Sequence, residues 1–339
     1  MLFFSIFFKT LGFLSALLIF LIIINILIYF SNDLQKKQFV MVDGNTSSNN
    51  TIGSISLNGP IFNNNTNLLG NNFNNYISPP QVKSYLEELK QLQIKVLIIN
   101  INSPGGTVSA TAELEKIFYD FKKYTDAKVY FFTKEILASG GYWVATSADK
   151  IFASYGSIIG SIGVSGPSWF YYNNPTSISS GILGETIVTK NGIEVFNQNA
   201  GQGKDLFNPY RRPKNEEIKH LQNIVDEIYQ DFIVKVSKSR NIEMSFVKKE
   251  IGALIYNTTQ AKDNFLIDEI LDYETMINLI VKENKFEDYK IYENKIDYSL
   301  LGSLLVKFKN YNLKQNHYNN CYNLDTSINL LIPNFLKEC

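Results

Sequence analysis

KVLIININSPGG, residues 95–106, begins with an apolar run in which only Lys95, Asn100 and Asn102 are polar, and it ends on a proline and two glycines. A short, continuous apolar run of this kind marks a strand buried on both faces of a parallel sheet. SPGG then turns the chain at the strand's C-terminal end. On the upstream side, PPQVKSYLEELKQL (79–92) places Val82, Tyr85, Leu86 and Leu89 on one helical face behind a proline pair. On the downstream side, residues 108–123 repeat that period through Leu114, Ile117, Phe118 and Phe121, and AKVYFFT (127–133) reads as the next strand. Strand, helix and parallel strand form a βαβ unit, and its repetition implies an α/β fold with a mainly parallel sheet and helices on its faces.

A helix of small residues is expected from about 139 to 148, followed by the strand KIFASY. A long amphipathic helix over 215–238 is expected to bury Ile218, Leu221, Ile224, Val225, Ile228, Phe232 and Ile233. At the N-terminus, LGFLSALLIFLIIINILIYF (11–30) carries no charge and as a helix would cover roughly 30 Å, enough to span a bilayer. It ends in IYFSND instead of a small-x-small cleavage site, which favours an anchor over a cleaved leader. A stretch rich in Asn, Ser and Gly follows, interrupted by the strand-like SISLNGPIF. The expected organisation is an anchor over 1–32, a tether over 33–78 with a first strand near 53–61, a folded domain over 79–280, and an extension of unassigned role over 281–339.

Lys plus Arg and Asp plus Glu number 32 each, so no net field recruits nucleic acid. The only cysteines, Cys321 and Cys339, lie in the tail, which leaves the body without a disulfide framework or a CxxC metal site. With only His220 and His317 in the chain, a Ser-His-Asp triad and a histidine-rich zinc site are both poorly supported.

Four segments carry the chemistry: SPGG (103–106), ASGGYW (138–143), GSIGV (160–164) and AGQGKDLFNP (200–209). Taken singly, SPGG reads as a tight turn, Ser139 as a helix cap, and Lys204 as one of many solvated lysines. Together they compose a mechanism. Gly105 and Gly106 would bring backbone N–H groups to the sheet's C-terminal edge, where open α/β folds bind ligands. Ser139 would stand at a helix start beside the N–H of Gly140, a setting that favours negative charge on a tetrahedral intermediate. A lysine held in an apolar setting is able to replace histidine as the base.

In this order the segments resemble the protease IV or signal peptide peptidase A family, Ser/Lys peptidases of the ClpP/crotonase fold. The resemblance runs from about 53 to 275, through SISLNGPI, ININSPGG, KEILASGGYWVATSADKIFASYGSIIGSIGV, AGQGKDLFNP and IYNTTQAKDNFLIDEI. It implies Ser139 as nucleophile, Lys204 as base, Ser161 as the group that orients the lysine, and Gly106 with Gly140 as oxyanion hole. It makes 79–280 a peptidase domain. It further implies a homo-oligomer on the outer face of the cytoplasmic membrane, single-pass, cleaving signal peptides and other apolar peptides, with no metal or other cofactor. A catalytically inactive scaffold that binds peptides through the same fold is the alternative. The segment between GSIGV and AGQGK is longer and more aromatic than the family pattern, and Lys190 within it is a second lysine ranked behind Lys204.

Overall fold

The computed structural model describes residues 2–32, 38–63, 76–180, 185–188, 190–196 and 198–294. The Asn-rich residues 64–75 and most of the expected extension, with His317, Cys321 and Cys339, lie outside the described residues. The chain divides into two compact units, Met1–Val40 and Met41–Cys339. The first contains α1 (Leu2–Asn32), in which Phe4–Ile23 is long and apolar enough to cross a membrane by length and composition.

The second unit is built on a parallel sheet. Its elements in chain order are β1 (Phe39–Gly44, from Met41 on), β2 (Thr51–Asn58), α2 (Pro79–Gln91), β3 (Val96–Asn102), α3 (Val108–Thr125), β4 (Lys128–Thr133), β5 (Ile136–Ala138), α4 (Gly140–Ala145), β6 (Lys150–Ala153) and β7 (Ile158–Gly160). There follow the hairpin β8 (Ser177–Ser180) and β9 (Glu185–Val188), then α5 (Asn215–Arg240), α6 (Met244–Phe246) and a π-helical turn at Val247–Ile251. The last elements are β10 (Ile255–Asn257), α7 (Thr258–Asp263), β11 (Glu269–Ile270), α8 (Tyr273–Glu283) and β12 (Lys290–Asn294). The main sheet has the order β1-β12-β2-β3-β4-β6-β11, and every pairing from β12 to β11 is parallel. A second sheet has the order β10-β7-β5, with β5 and β7 parallel.

The expected α/β architecture of βαβ units, with an apolar N-terminal helix, is present. β3 is the middle strand of the main sheet, and Val96, Leu97, Ile98, Ile99 and Ile101 are fully buried. Leu89 of α2 packs against Gly53 in β2, and Phe118 of α3 meets Phe131 of β4 edge to face. A second cluster joins Met276, Ile277 and Ile280 of α8 to Ile52, Val96, Ile98, Phe132 and Ile291. The prolines at the first positions of α2 cost it no intrahelical hydrogen bond, and Asp272 caps α8 by accepting from Thr275 N–H at 2.8 Å.

Two features depart from the sequence pattern. The sheet draws β1 from the segment expected to be tether and β12 from the one expected to be extension. In α5, only Phe232, Ile233 and Val236 are buried, whereas Ile218 is 50% exposed and Leu221, Ile224, Val225 and Ile228 are half-buried. The apolar stripe is real, but the body buries it fully only at its C-terminal end.

Candidate active site

The second sheet brings the expected residues to one edge. Register pairs Ala138 at the end of β5 with Gly160 at the end of β7, so Ser139 and Ser161 occupy the next positions of adjacent strands. Ser139 N–H donates to Gly160 C=O at 2.8 Å, and Ser161 N–H donates to Leu254 C=O at 2.7 Å. Both serines have positive φ, 53° and 51°. With ψ at −122°, Ser139 holds a sharp strand-to-helix turn costing about 1–3 kcal/mol for a residue with a side chain.

Ser139 precedes α4 without capping it. Its hydroxyl makes no helix-cap hydrogen bond, and its Oγ is buried with no partner among the described residues. The short α4 is itself buried throughout. Tyr142 donates its hydroxyl to Leu266 C=O at 2.8 Å, and burial pushes its phenol pKa up, so it stays a neutral donor. Trp143 donates Nε1–H to Glu115 at 3.0 Å, stacks near Phe232 at 4.9 Å, and lies under the Lys235 ammonium, which also bonds Glu115. These contacts from α3 and α5 leave the start of α4 little freedom.

SPGG closes over the same point. Ser103 N–H donates to Ile136 C=O at 2.8 Å, and Ala138 N–H donates to Ser103 C=O at 3.1 Å, tying the end of β3 to β5. Gly105 has φ +112°, and a Cβ there would lie 2.9 Å from Gly140 N and 3.1 Å from Ser139 Oγ. Gly106 forms a parallel bridge with Ile61 through Ile61 N–H to Gly105 C=O at 2.9 Å and Thr107 N–H to Ile61 C=O at 3.0 Å. In a parallel bridge, the N–H of Gly106 itself points away from Ile61. Among the described residues no hydrogen bond occupies the N–H of Gly106 or of Gly140.

Lys204 stands apart from this group. It lies on the turns of 201–207, with its N–H donating to Gly201 C=O at 3.2 Å, and its side chain is exposed. The structure therefore brings Ser139, Ser161, Gly106 and Gly140 together and leaves Lys204 off Ser139 Oγ within one chain. Lys190 is exposed as well, as is His220 on α5.

The turns that carry Lys204 rest on a platform absent from the sequence-level site. Trp169 packs on Phe207 at 5.3 Å and donates to Asn208 C=O, and Arg211 lies 5.1 Å over its ring. The guanidinium bonds Asp205 through Nε and Nη2, and Glu217 through Nη1 and Nη2 at 2.9 and 2.7 Å. Arg211 holds both carboxyls below their usual range. Lowered carboxylate pKa values mean that the clamp is intact at neutral pH and is lost only as pH falls beneath the ordinary values of 3.8 and 4.5. Arg211→Ala is expected to shift the emission of Trp169 by releasing the turn that carries Lys204; unchanged emission would reject the clamp. No spacing rule flags Arg211, because its partners are set by the fold of the aromatic segment.

Residues 122–287 match Peptidase family S49. A predicted signal peptide peptidase SppA of Enterococcus faecium is 32% identical over 81% of this chain and 74% of its own. The chain belongs to the S49 peptidase family. A predicted protease of Methanocaldococcus jannaschii is 31% identical, over 65% of this chain and 70% of its own. Protease 4 of Haemophilus influenzae is 26% identical, over 64% of this S49 chain and 34% of its own length. The matched region includes Ser139, Ser161 and Lys204, and it ends within the segment between α8 and β12.

Proposed function

We propose that the chain is a membrane-anchored serine endopeptidase that hydrolyses signal peptides and other apolar peptides beside the bilayer, using Ser139 as nucleophile and Lys204 as base. The observation that carries this reading is the state of Ser139. Its Oγ is buried, unpartnered and at a strained turn, with the unoccupied N–H of Gly140 beside it and Gly105 against it. A hydroxyl used for structure would be bonded.

The chemistry follows in two steps. Neutral Lys204 Nζ accepts the Ser139 proton as Oγ adds to the scissile carbonyl, and the N–H groups of Gly106 and Gly140 receive the oxyanion. The lysine then protonates the leaving amine as the C–N bond breaks, and a water deprotonated by the same lysine hydrolyses the acyl-enzyme. Ser161, next to Ser139 across the β5–β7 register, orients the lysine. No metal or other cofactor takes part.

Because Ser139 Oγ lacks a base in one chain, Lys204 arrives either by closure of its own turn or from a second copy. The homo-oligomer in this reading is supported by exposed Phe170, Phe196 and Ile218, which lie on or near the segment bearing Lys204. Anchoring is supported by α1, and the catalytic unit is assigned to the outer side of the cytoplasmic membrane.

Labelling of the full-length protein in detergent with a fluorophosphonate tests the central claim. Stoichiometric phosphonylation at Ser139, lost on denaturation, is the expected result. Absence of labelling in the assembled protein would favour the inactive peptide-binding scaffold.

A further inference from the structure

We propose that Ser103 is a positioning residue for the oxyanion hole, its hydroxyl fixing the peptide plane that precedes Gly105. This rests on the assignment of Ser139 as nucleophile and of Gly106 N–H as an oxyanion donor. Ser103 is fully buried, and its Oγ accepts the N–H of Gly105 at 3.2 Å. Its main chain is bonded on both sides to β5, through Ile136 C=O and Ala138 N–H, and Ala138 immediately precedes Ser139. One residue thus grips the nucleophile's strand with its backbone and the oxyanion loop with its side chain.

Two successive peptide planes meet at the Gly105 Cα. The first, Pro104–Gly105, is pinned by Ser103 Oγ through the Gly105 N–H. The second, Gly105–Gly106, is pinned by Ile61 N–H on the Gly105 carbonyl at 2.9 Å. In a trans peptide the carbonyl and N–H point in opposite directions, so this second contact turns Gly106 N–H away from Ile61. Gly105 has no Cβ to limit its φ, and its observed +112° lies where glycine moves freely. Remove the first pin and the Pro104–Gly105 plane is free to rotate, leaving the Gly105–Gly106 plane held by the Ile61 bridge alone. The nucleophile keeps its place, because α4 and Gly160 hold it, while the oxyanion donor, now fastened on the Ile61 side alone, samples a wider range of directions.

The effect belongs to the transition state. An oxyanion donor bonds charge that develops during attack and contributes little to binding the ground-state peptide. Ser103→Ala in the full-length protein in detergent micelles, assayed on a fluorogenic apolar peptide, is expected to lower kcat about tenfold with KM within about twofold. That is less than the roughly 10²–10³-fold lost when a donor itself is removed. The rate of fluorophosphonate labelling should fall in parallel, because the phosphoryl oxygen occupies the same hole. Wild-type kcat and labelling rate in Ser103→Ala would overturn the proposal, and so would a loss of rate fully matched by a fall in the folded fraction on thermal melting. Ser139→Ala run beside it separates the two claims. An inactive Ser139→Ala with an unimpaired Ser103→Ala removes only the positioning role, whereas an active Ser139→Ala removes the nucleophile assignment on which it rests.

Discussion

Ser139→Ala and Lys204→Ala are each expected to lower cleavage of an apolar peptide by at least about 10⁴-fold while leaving the melting temperature within a few degrees of the wild type. Ser139 Oγ makes no hydrogen bond, so replacing it with hydrogen breaks no contact, and alanine relieves none of the packing that holds the turn. Lys204 is exposed, and among the described residues it supports its turn only through its backbone. Stability is therefore decoupled from activity at both positions, and retained activity in either variant overturns the dyad. Mixing the two inactive proteins then tells where the lysine comes from. Activity regained on co-assembly means that Lys204 of one copy serves Ser139 of another; persistent inactivity, with mixed assembly verified, means that each chain completes its own pair by moving the 201–207 turn.

Gly106→Ala is expected to abolish activity and to destabilise the fold together. A Cβ at this position would stand 2.0 Å from Ile61 O, 2.6 Å from Ile61 N and 2.7 Å from Ile61 C. All three are backbone atoms, and both hydrogen bonds of the Ile61 bridge run through them. Relief requires separating the strands of that bridge, a cost of about 3 kcal/mol or more. For a unit of this size, that corresponds to a fall of about 5–10 °C in Tm, measurable by calorimetry. An alanine variant that melts like the wild type would show that the Ile61–Gly106 approach is wider than described. Gly105→Ala offers a contrast: the intruding methyl would meet Ser139 Cβ and Oγ and Gly140 N, obstructing the reaction centre more than the fold.

The central βαβ unit was legible because its information is local. β3 opens on the apolar run Val96–Ile99, α2 and α3 carry helical periods of Val82, Leu86, Leu89 and of Leu114, Phe118, Phe121, and all of these are buried. Gly106 after β3, and Ser139 with Gly140 at the start of α4, were legible for a related reason, whereas Ser161 entered only through the family resemblance, because β5 and β7 are three residues each and carry no pattern. β12 was not. KIYEN has no apolar run, and its partner in β2 lies more than two hundred residues earlier, so nothing nearby announces the pairing. The N-terminal half of α5 misled in the other direction, for its period of Ile218, Leu221, Val225 and Ile228 identifies an apolar face without saying whether this chain covers it. Arg211 escaped notice because its two carboxylates and the Trp169 ring converge on it only after the aromatic segment folds.

The place of β12 also sets an order of events. The last described strand lies between β1 and β2, two of the first to be made, so a gap remains at that side of the sheet until residues 290–294 arrive. Asn294 then accepts the N–H of Ser56, and Asp288 receives Ser48 and Asn45, so the late strand brings its own fastenings to the early one. Until that moment β2 presents an open edge. A chain emerging one end first cannot complete this sheet until residues 290–294 have emerged, and pairings across so long a loop form slowly. Maturation is thereby delayed until nearly the whole described chain has emerged. A protein that will cut peptides acquires its finished scaffold only after its own synthesis has passed the point of closure.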